Sequence, residues 1–196
     1  MVRQNNDDHS LRKAQKAIIS AFISLVKKKG FLKVTVQEIL DSAHVNKSTF
    51  YMYYLDKYDL LDKVEDQLLA GLRVIEDDVP FDLVIKNVMN EETLASTERF
   101  LRYMYDNGEL FALLTNDEYC GATFINKNRE ATMKLWKDKD IFNKFIVPQT
   151  YAATTLIAMS NSLIFEWAKN GFRETPEEFL KIYRMIFGAV LQNLFE

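Results

Sequence analysis

The sequence predicts an all-α protein in which a small three-helix domain at the N-terminus precedes a larger helical domain. Three observations lead to this prediction. The 196 residues include only six glycines and three prolines, and so few helix breakers favour long helices over many strands and turns. Apolar residues recur at spacings of three and four along most of the chain, which is the period of one helix face. Several of these segments also begin with side chains that cap helices.

The first predicted helices are marked by their ends. Ser10–Lys29 carries an amphipathic stripe, and Gly30 follows it as a natural C-terminal cap. Thr35 and Glu38 have the spacing of a capping box, which predicts a short second helix from Val36.

A third helix and a fourth are predicted directly afterwards. Val45 interrupts the second helix as an apolar plug, and Asn46 is placed to cap a helix over Lys47–Tyr53. Asp56 is placed to cap a further helix from Lys57. Two short helices joined by a few residues form a corner, and most such corners only pack.

The rest of the chain continues as helices. A break is predicted at Asp77–Pro80, because proline disfavours helix in the residue before it. Thr175, Pro176 and Glu178 form a second capping box with proline at the first helical position. Further helices are predicted at about 92–106, 109–115, 124–137, 149–169 and 176–195.

Composition and charge narrow the class of protein. Hydrophobic residues make up 48% and charged residues 27% of the chain, as in ordinary globular proteins. Met1–Ser10 lack the apolar core of a signal peptide, and Phe145–Phe165 is too polar to span a membrane. The single cysteine, Cys120, fits a reducing cytosol. Residues 1–63 carry eleven basic and seven acidic side chains, whereas residues 64–196 carry fourteen and twenty-one. We therefore expect a cytoplasmic protein whose N-terminal third faces a polyanion.

The side chains of the third helix indicate which polyanion. A recognition helix needs short polar groups that reach base edges in the major groove and longer donors that hold phosphates. The helix has both kinds, while Phe50 points towards the core as an anchor. The residues with this chemistry are Lys47, Ser48, Thr49, Tyr51 and Tyr53. A short polar surface helix without a partner is the simpler alternative.

With these residues in view, Ile18–Leu61 resembles the N-terminal domain of the TetR/AcrR family of bacterial transcriptional regulators. The matching stretches are Phe31–Ile39, Val45–Tyr54 and Asp56–Leu61. The sequence departs from the family where it has Ser48 in place of glycine, Tyr53 in place of histidine and Tyr54 in place of phenylalanine. These departures imply a different operator sequence and leave the expectation of DNA binding in place.

The resemblance implies roles for individual residues. Thr35 would contact phosphate through its hydroxyl and amide, and Lys57 would clamp the DNA backbone at the start of the fourth helix. Lys47, Ser48 and Thr49 would lie in the groove, and Tyr51 and Tyr53 would contact phosphates or a thymine methyl. Arg12 and Lys33 are additional phosphate candidates. The implied domains are a DNA-binding domain at 1–56 and a regulatory and dimerisation domain at 57–196, of which 57–75 is a connecting helix.

For the second domain the resemblance implies a homodimer. The helices at 149–169 and 176–195 would pair with a second copy, although their apolar content also fits ordinary core packing. Two recognition helices one turn of DNA apart would bind a palindromic, double-stranded operator, and the expected role is a repressor. Phe165–Gly171 followed by Thr175–Glu178 resembles a subgroup found in firmicutes.

A small molecule or a partner protein is expected to release the DNA. Met and aromatic side chains in the second domain are candidates to line a ligand pocket, and plain core packing is the competing interpretation for each. The main candidates are Tyr103, Phe111, Phe124, Met133, Trp136 and Met159, with Met104, Cys120 and Phe165 as further ones.

The sequence also bears on other classes of function, namely an enzyme, a protein adaptor and a transcriptional activator. Two histidines and one cysteine disfavour a nucleophilic triad or a Cys/His metal site, and no glycine-rich phosphate loop occurs. We therefore expect no catalytic residue, metal or cofactor. A helical adaptor whose corner binds a protein is one alternative, and an activator of the same family is another.

Overall fold

Helices make up most of the described chain. The computed structural model describes residues 2–77, 95–116, 120, 123–191 and 193–194, and the predicted all-α class is confirmed in these ranges. The α-helices there are α1 (Val2–Lys29), α2 (Val36–Ala43), α3 (Lys47–Tyr53), α4 (Lys57–Asp77), α5 (Ala95–Asp106), α6 (Gly108–Leu114), α7 (Thr123–Asp138), α8 (Gln149–Lys169) and α9 (Pro176–Leu191). Two short 3-10 turns are described as well, at Phe31–Lys33 and Ile141–Lys144.

Most predicted helix boundaries are confirmed. Helices α3 and α8 have the predicted first and last residues, and α2, α4 and α9 begin where their caps indicate. Helix α1 begins at Val2 and not at Ser10, because a helix that has already formed gains one backbone hydrogen bond per added residue without needing an apolar face. Helix α9 ends at Leu191, short of the predicted 195. Helix α4 ends at Asp77, and the remainder of the predicted break at 77–80, like the predicted helix start at 92, lies outside the described residues.

The chain forms two compact units. The first comprises Met1–Leu68 and Asn116–Gly121, and the second comprises Leu69–Thr115 and Ala122–Glu196. Helix α4 continues from the first unit into the second. The predicted domain boundary at residue 56 stays a prediction.

The first unit is built around α1. Ile18, Phe22 and Val26 form its buried stripe. The α1–α2 contacts are the most extensive between two helices of this unit, and Phe50 brings α3 to the same core with its side chain fully buried. Cys120 is also buried here, and burial, with Glu65 nearby, raises the pKa of its thiol to about 12.

In the second unit, aromatic side chains hold α8 and α9 together. The rings of Trp167 and Phe179 stack with centroids 4.2 Å apart and an angle of 3° between their planes. The indole N–H of Trp167 donates to the carbonyl of Glu174, 3.0 Å away, in the loop between the two helices. Gly171 in that loop has φ 73°, a conformation that glycine adopts without strain.

A second cluster in this unit joins α7, α8 and α9. Its buried members are Trp136, Ile141, Ala153, Leu156, Ile157, Phe187 and Leu191. None of the described helices has the length and apolar character that crossing a membrane requires.

Candidate nucleic-acid interface

The turn before α2 is fixed by a capping box. The Glu38 amide donates to the Thr35 hydroxyl at 3.3 Å, and the Thr35 amide donates back to the Glu38 carboxylate at 2.9 Å. The Thr35 hydroxyl and the Lys29 ammonium also donate to this carboxylate. These hydrogen bonds, with that from Lys29 the largest contribution, lower the pKa of Glu38 to about 2. Both groups of Thr35 that were predicted to contact phosphate are therefore bonded to Glu38.

Helix α3 is held by Asn46 at its start and Phe50 in its middle. The Asn46 side-chain oxygen accepts from the Thr49 amide and from the Ser48 hydroxyl, each at 2.7 Å. His44 ends α2 with φ 54°, and this left-handed residue reverses the chain between the two helices. The helix is thus anchored at both its cap and its buried face.

The exposed face of α3 has a helical period. Lys47, Ser48, Tyr51 and Met52 are exposed, and so is Leu55, which follows the helix after the extended residue Tyr54. The four helical positions are four apart in two adjacent rows, so they form one continuous strip. Of the five residues predicted for the groove and its edges, the strip contains Lys47, Ser48 and Tyr51.

The other two predicted residues are turned away from this strip. Thr49 is half-buried, and its amide completes the Asn46 cap. Tyr53 is half-buried too, and its hydroxyl is a buried side-chain polar atom without a hydrogen-bond partner among the described residues. Leaving a buried polar group unpaired costs about 1–3 kcal/mol. The hydroxyl of Tyr53 is therefore poised to gain a partner if the side chain moves outwards.

The predicted phosphate clamp, Lys57, points into the protein. Its ammonium donates to the carbonyls of Phe31, Leu32 and Val34 at 3.2, 2.9 and 2.9 Å. Beside it, the Asp56 carboxylate accepts the amides of Tyr58 and Asp59 at 2.8 and 2.9 Å, which confirms Asp56 as the cap of α4.

Cations around the strip differ in their surroundings. Lys33 is exposed on the turn before α2, and Lys47 lies 5.9 Å from the centre of the Tyr51 ring. Arg12 on α1 is exposed and has an interaction within the protein. Lys63 donates to the carbonyl of Tyr53 at 2.8 Å and fixes the end of α3.

Two exposed apolar residues, one on the strip and one just after the helix, were not predicted. Met52 is 64% exposed and Leu55 is 77% exposed, so both are accessible to a partner. The signal for Met52 was present in the sequence, since it follows Ser48 by one helical turn. It was missed because only polar side chains were considered.

The predicted ligand residues fall in different surroundings. Phe111 and Phe124 are fully buried against each other, with ring centroids 5.7 Å apart. Trp136 and Met159 belong to the cluster that joins α7, α8 and α9. For these four residues the described contacts are those of ordinary core packing.

Tyr103 and Met133 complete the set of ligand candidates. The Tyr103 hydroxyl lies against Gly71 of α4, where a Cβ atom would come within 2.1 Å of it, and burial raises the pKa of this phenol. Met133 is 37% exposed on α7. The ligand assignment of all six residues stays a prediction.

Comparisons with known proteins agree with this geometry. Residues 18–64 match the model of the family described as bacterial regulatory proteins, tetR family. A segment of 59 residues is 29% identical to YxbF of Bacillus subtilis (strain 168), an uncharacterized HTH-type transcriptional regulator. That match covers 30% of this chain and only 16% of the relative's length.

Solved structures match nearly the whole chain. A TetR transcriptional regulator from Streptococcus agalactiae is 24% identical, with 94% of this chain and 98% of that one covered and a TM-score of 0.59. The fatty acid degradation regulator FadR from Bacillus halodurans is 16% identical, with coverages of 90% and 95% and a TM-score of 0.63. FadR from Bacillus subtilis, solved with stearoyl-CoA, is 16% identical, with coverages of 90% and 96% and a TM-score of 0.60. Residues 18–64 thus match the tetR family of bacterial regulatory proteins, and the described chain shares the all-helical fold of these solved structures.

Proposed function

We propose that this chain is a homodimeric repressor that binds a palindromic DNA operator by placing α3 in the major groove. The observation that carries the proposal is the exposed strip on α3, fixed by the Asn46 cap and by the buried ring of Phe50. A recognition helix must offer side chains to base edges while its backbone stays in one place. Helix α3 combines the two features.

The strip suggests a division of roles. Lys47 and Ser48, at the N-terminal end of α3, contact base edges, and the Tyr51 hydroxyl contacts a phosphate. Met52 packs against a thymine methyl, the apolar group that the major groove presents. Thr35 contacts phosphate in this proposal only when a phosphate oxygen replaces the Glu38 carboxylate as its acceptor.

Dimerisation is supported by the surface of α9. Ile182, Met185 and Ile186 are 37%, 73% and 41% exposed, and they lie three and four residues apart. The opposite side of the helix is buried through Leu180, Phe187 and Leu191. An apolar stripe on a helix whose other side already packs in the core is suited to a second copy of the chain, and a dimer explains a palindrome with half-sites about 34–36 Å apart.

The DNA-binding proposal is tested by selection from a random-sequence duplex library, followed by affinity measurements over a range of salt concentrations. We expect a palindromic site whose log affinity falls with log salt by about 0.9 for each phosphate neutralised. A protein adaptor would select no duplex and show no such slope. Promoter fusions carrying the selected site then separate repression from activation.

The dimer is tested by sedimentation equilibrium of Met185→Glu. The substitution places a charge in the apolar stripe, so we expect a monomer that binds one half-site weakly. Met133→Glu, the same change on the exposed part of α7, is the matched control and should leave the dimer intact. If both variants stay dimeric, the α9 stripe is not the interface.

Release of the DNA by a small molecule or a protein partner completes the proposal. It is supported by the resemblance to regulators that respond to effectors, and the described contacts assign no ligand class. A ligand that binds the native state raises the unfolding midpoint in proportion to its concentration. Thermal-shift screening of the purified protein therefore identifies an effector, and addition of that compound should lower operator affinity.

A further inference from the structure

One lysine at the start of α4 is bonded entirely within the DNA-binding unit. The ammonium of Lys57 has three N–H donors, and the carbonyls of Phe31, Leu32 and Val34 provide three acceptors within 3.2 Å. The rings of Phe31 and Tyr58 lie 5.0 and 5.3 Å from the same nitrogen. The charge is thus surrounded by carbonyl oxygens and aromatic faces, both of which attract a cation.

The three carbonyls belong to the turn that joins α1 to α2. Phe31 and Leu32 lie in the 3-10 turn Phe31–Lys33, and Val34 is the residue that ends it. The Phe31 carbonyl also accepts the Val34 amide at 3.2 Å, whereas the last carbonyls of such a turn have no partner within it. Val34 directly precedes Thr35, the cap of α2, so a fixed Val34 carbonyl restricts where that cap can lie.

We propose that Lys57 is a positioning residue, which holds the turn before α2 against the start of α4 and does not neutralise a DNA phosphate. This inference rests on the proposed function. It assigns to Lys57 a role different from the phosphate clamp that the family resemblance implies. A phosphate contact would require the Lys57 ammonium to leave the three carbonyls, which would then lose their hydrogen bonds from Lys57. Lys33 and Lys47 are exposed, and the described contacts include no hydrogen bond from either ammonium to a carbonyl.

The salt dependence of DNA affinity separates the two roles. The probe is the duplex selected by the wild-type protein, and the variants are Lys57→Met, Lys33→Met and Lys47→Met. We expect Lys57→Met to weaken binding about tenfold at every salt concentration, with an unchanged slope and a lower unfolding midpoint. The exposed Lys33 is the matched control, whose loss should lower the slope by about 0.9 without moving the midpoint, whereas loss of Lys47 should change the preferred bases. A slope lowered by that amount in Lys57→Met overturns the proposal.

The conservative variant Lys57→Arg provides a second test, which stays informative if Lys57→Met folds poorly. Arginine keeps the charge and is the better phosphate ligand, but its planar fork does not match three carbonyls grouped around a single nitrogen. A positioning role predicts weaker operator binding by Lys57→Arg. Affinity equal to or above that of the wild type would instead identify Lys57 as a phosphate contact.

A double-mutant cycle distinguishes positioning from a purely structural role. If Lys57 places Thr35, the loss in affinity caused by Thr35→Ala should be smaller in the Lys57→Met background than in the wild type. Independent effects on affinity would show that Lys57 does not act through Thr35. If the wild-type protein selects no duplex, the proposed function fails, whereas the unfolding midpoint of Lys57→Met still reports whether the three hydrogen bonds stabilise the unit.

Discussion

The two units of the chain are held in place by different chemistry. In the first unit, α2 has eight residues and α3 has seven, and each begins with a side chain that accepts a backbone amide. In the second unit, α8 has 21 residues and is fixed through stacked rings and apolar clusters. Helices as short as α2 and α3 are not stable alone, so their caps and tertiary contacts determine whether they form.

This difference predicts different sensitivities to substitution. Hydrogen bonds are directional, so the caps fix the position of α3 and depend on single polar atoms. Apolar packing depends instead on filled volume and tolerates swaps that conserve it. Small polar changes should therefore affect the DNA-binding unit most, and loss of volume should affect the second unit most.

The largest effect is expected for Phe179→Ala. This ring is 4% exposed and stacks on Trp167, so its loss should cost about 3–5 kcal/mol of the free energy of unfolding. Urea denaturation followed by circular dichroism measures this change. Phe179→Leu, which keeps most of the volume, should cost clearly less, and equal losses would show that ring stacking and not volume governs the site.

A smaller effect is expected for Asn46→Ala. The cap of α3 is removed and the Ser48 hydroxyl loses its acceptor, so the cost should be about 1 kcal/mol. Operator affinity should fall as well, since α3 is no longer held in one register. Asn46→Asp keeps an acceptor oxygen and serves as the control in both measurements. An unchanged operator affinity in Asn46→Ala would contradict the role of the cap.

Acid should weaken the first unit through Glu38. The folded-state pKa of this carboxyl is about 2, below its ordinary value of 4.5. Its contribution to stability is therefore complete above pH 4.5 and is lost as the pH falls towards 2. Glu38→Gln should be less stable than the wild type at neutral pH, and the difference should shrink over this acid range. A difference independent of pH would mean that the charge of Glu38 contributes nothing.

The smallest effect on stability, yet a change in specificity, is expected for Met52→Ala. An exposed side chain without buried contacts should alter the free energy of unfolding by less than about 0.5 kcal/mol. Selection with this variant should lose a preference for thymine at one position of each half-site. Leu32→Ala removes another exposed apolar side chain, from the turn before α2, and it should leave the selected sequence unchanged.

Local signals explain what the sequence could predict. Thr35, Asn46, Asp56 and Thr175 act on amides within three residues, so their spacing in the chain was sufficient to place α2, α3, α4 and α9. The resemblance supplied the DNA-binding role.

Contacts between distant parts of the chain explain what it could not predict. Lys57 bonds to carbonyls 23 to 26 residues away, and the buried hydroxyl of Tyr53 depends on how α3 packs. The surroundings of Phe111 and Trp136 depend in the same way on which helices meet. Helical periodicity shows that such residues are apolar and inward, but not what they contact.

The ring stack of Trp167 also has a spectroscopic consequence. The chain has two tryptophans, Trp136 and Trp167, and both belong to the second unit. The tyrosines occur in both units, with Tyr51, Tyr53, Tyr54 and Tyr58 in the first and Tyr103, Tyr105, Tyr151 and Tyr183 in the second. Indole emission, excited at its red edge where tyrosine does not absorb, therefore reports on the second unit alone. The unlabelled protein thus carries an optical reporter of its second unit, with which the proposed binding of an effector can be timed.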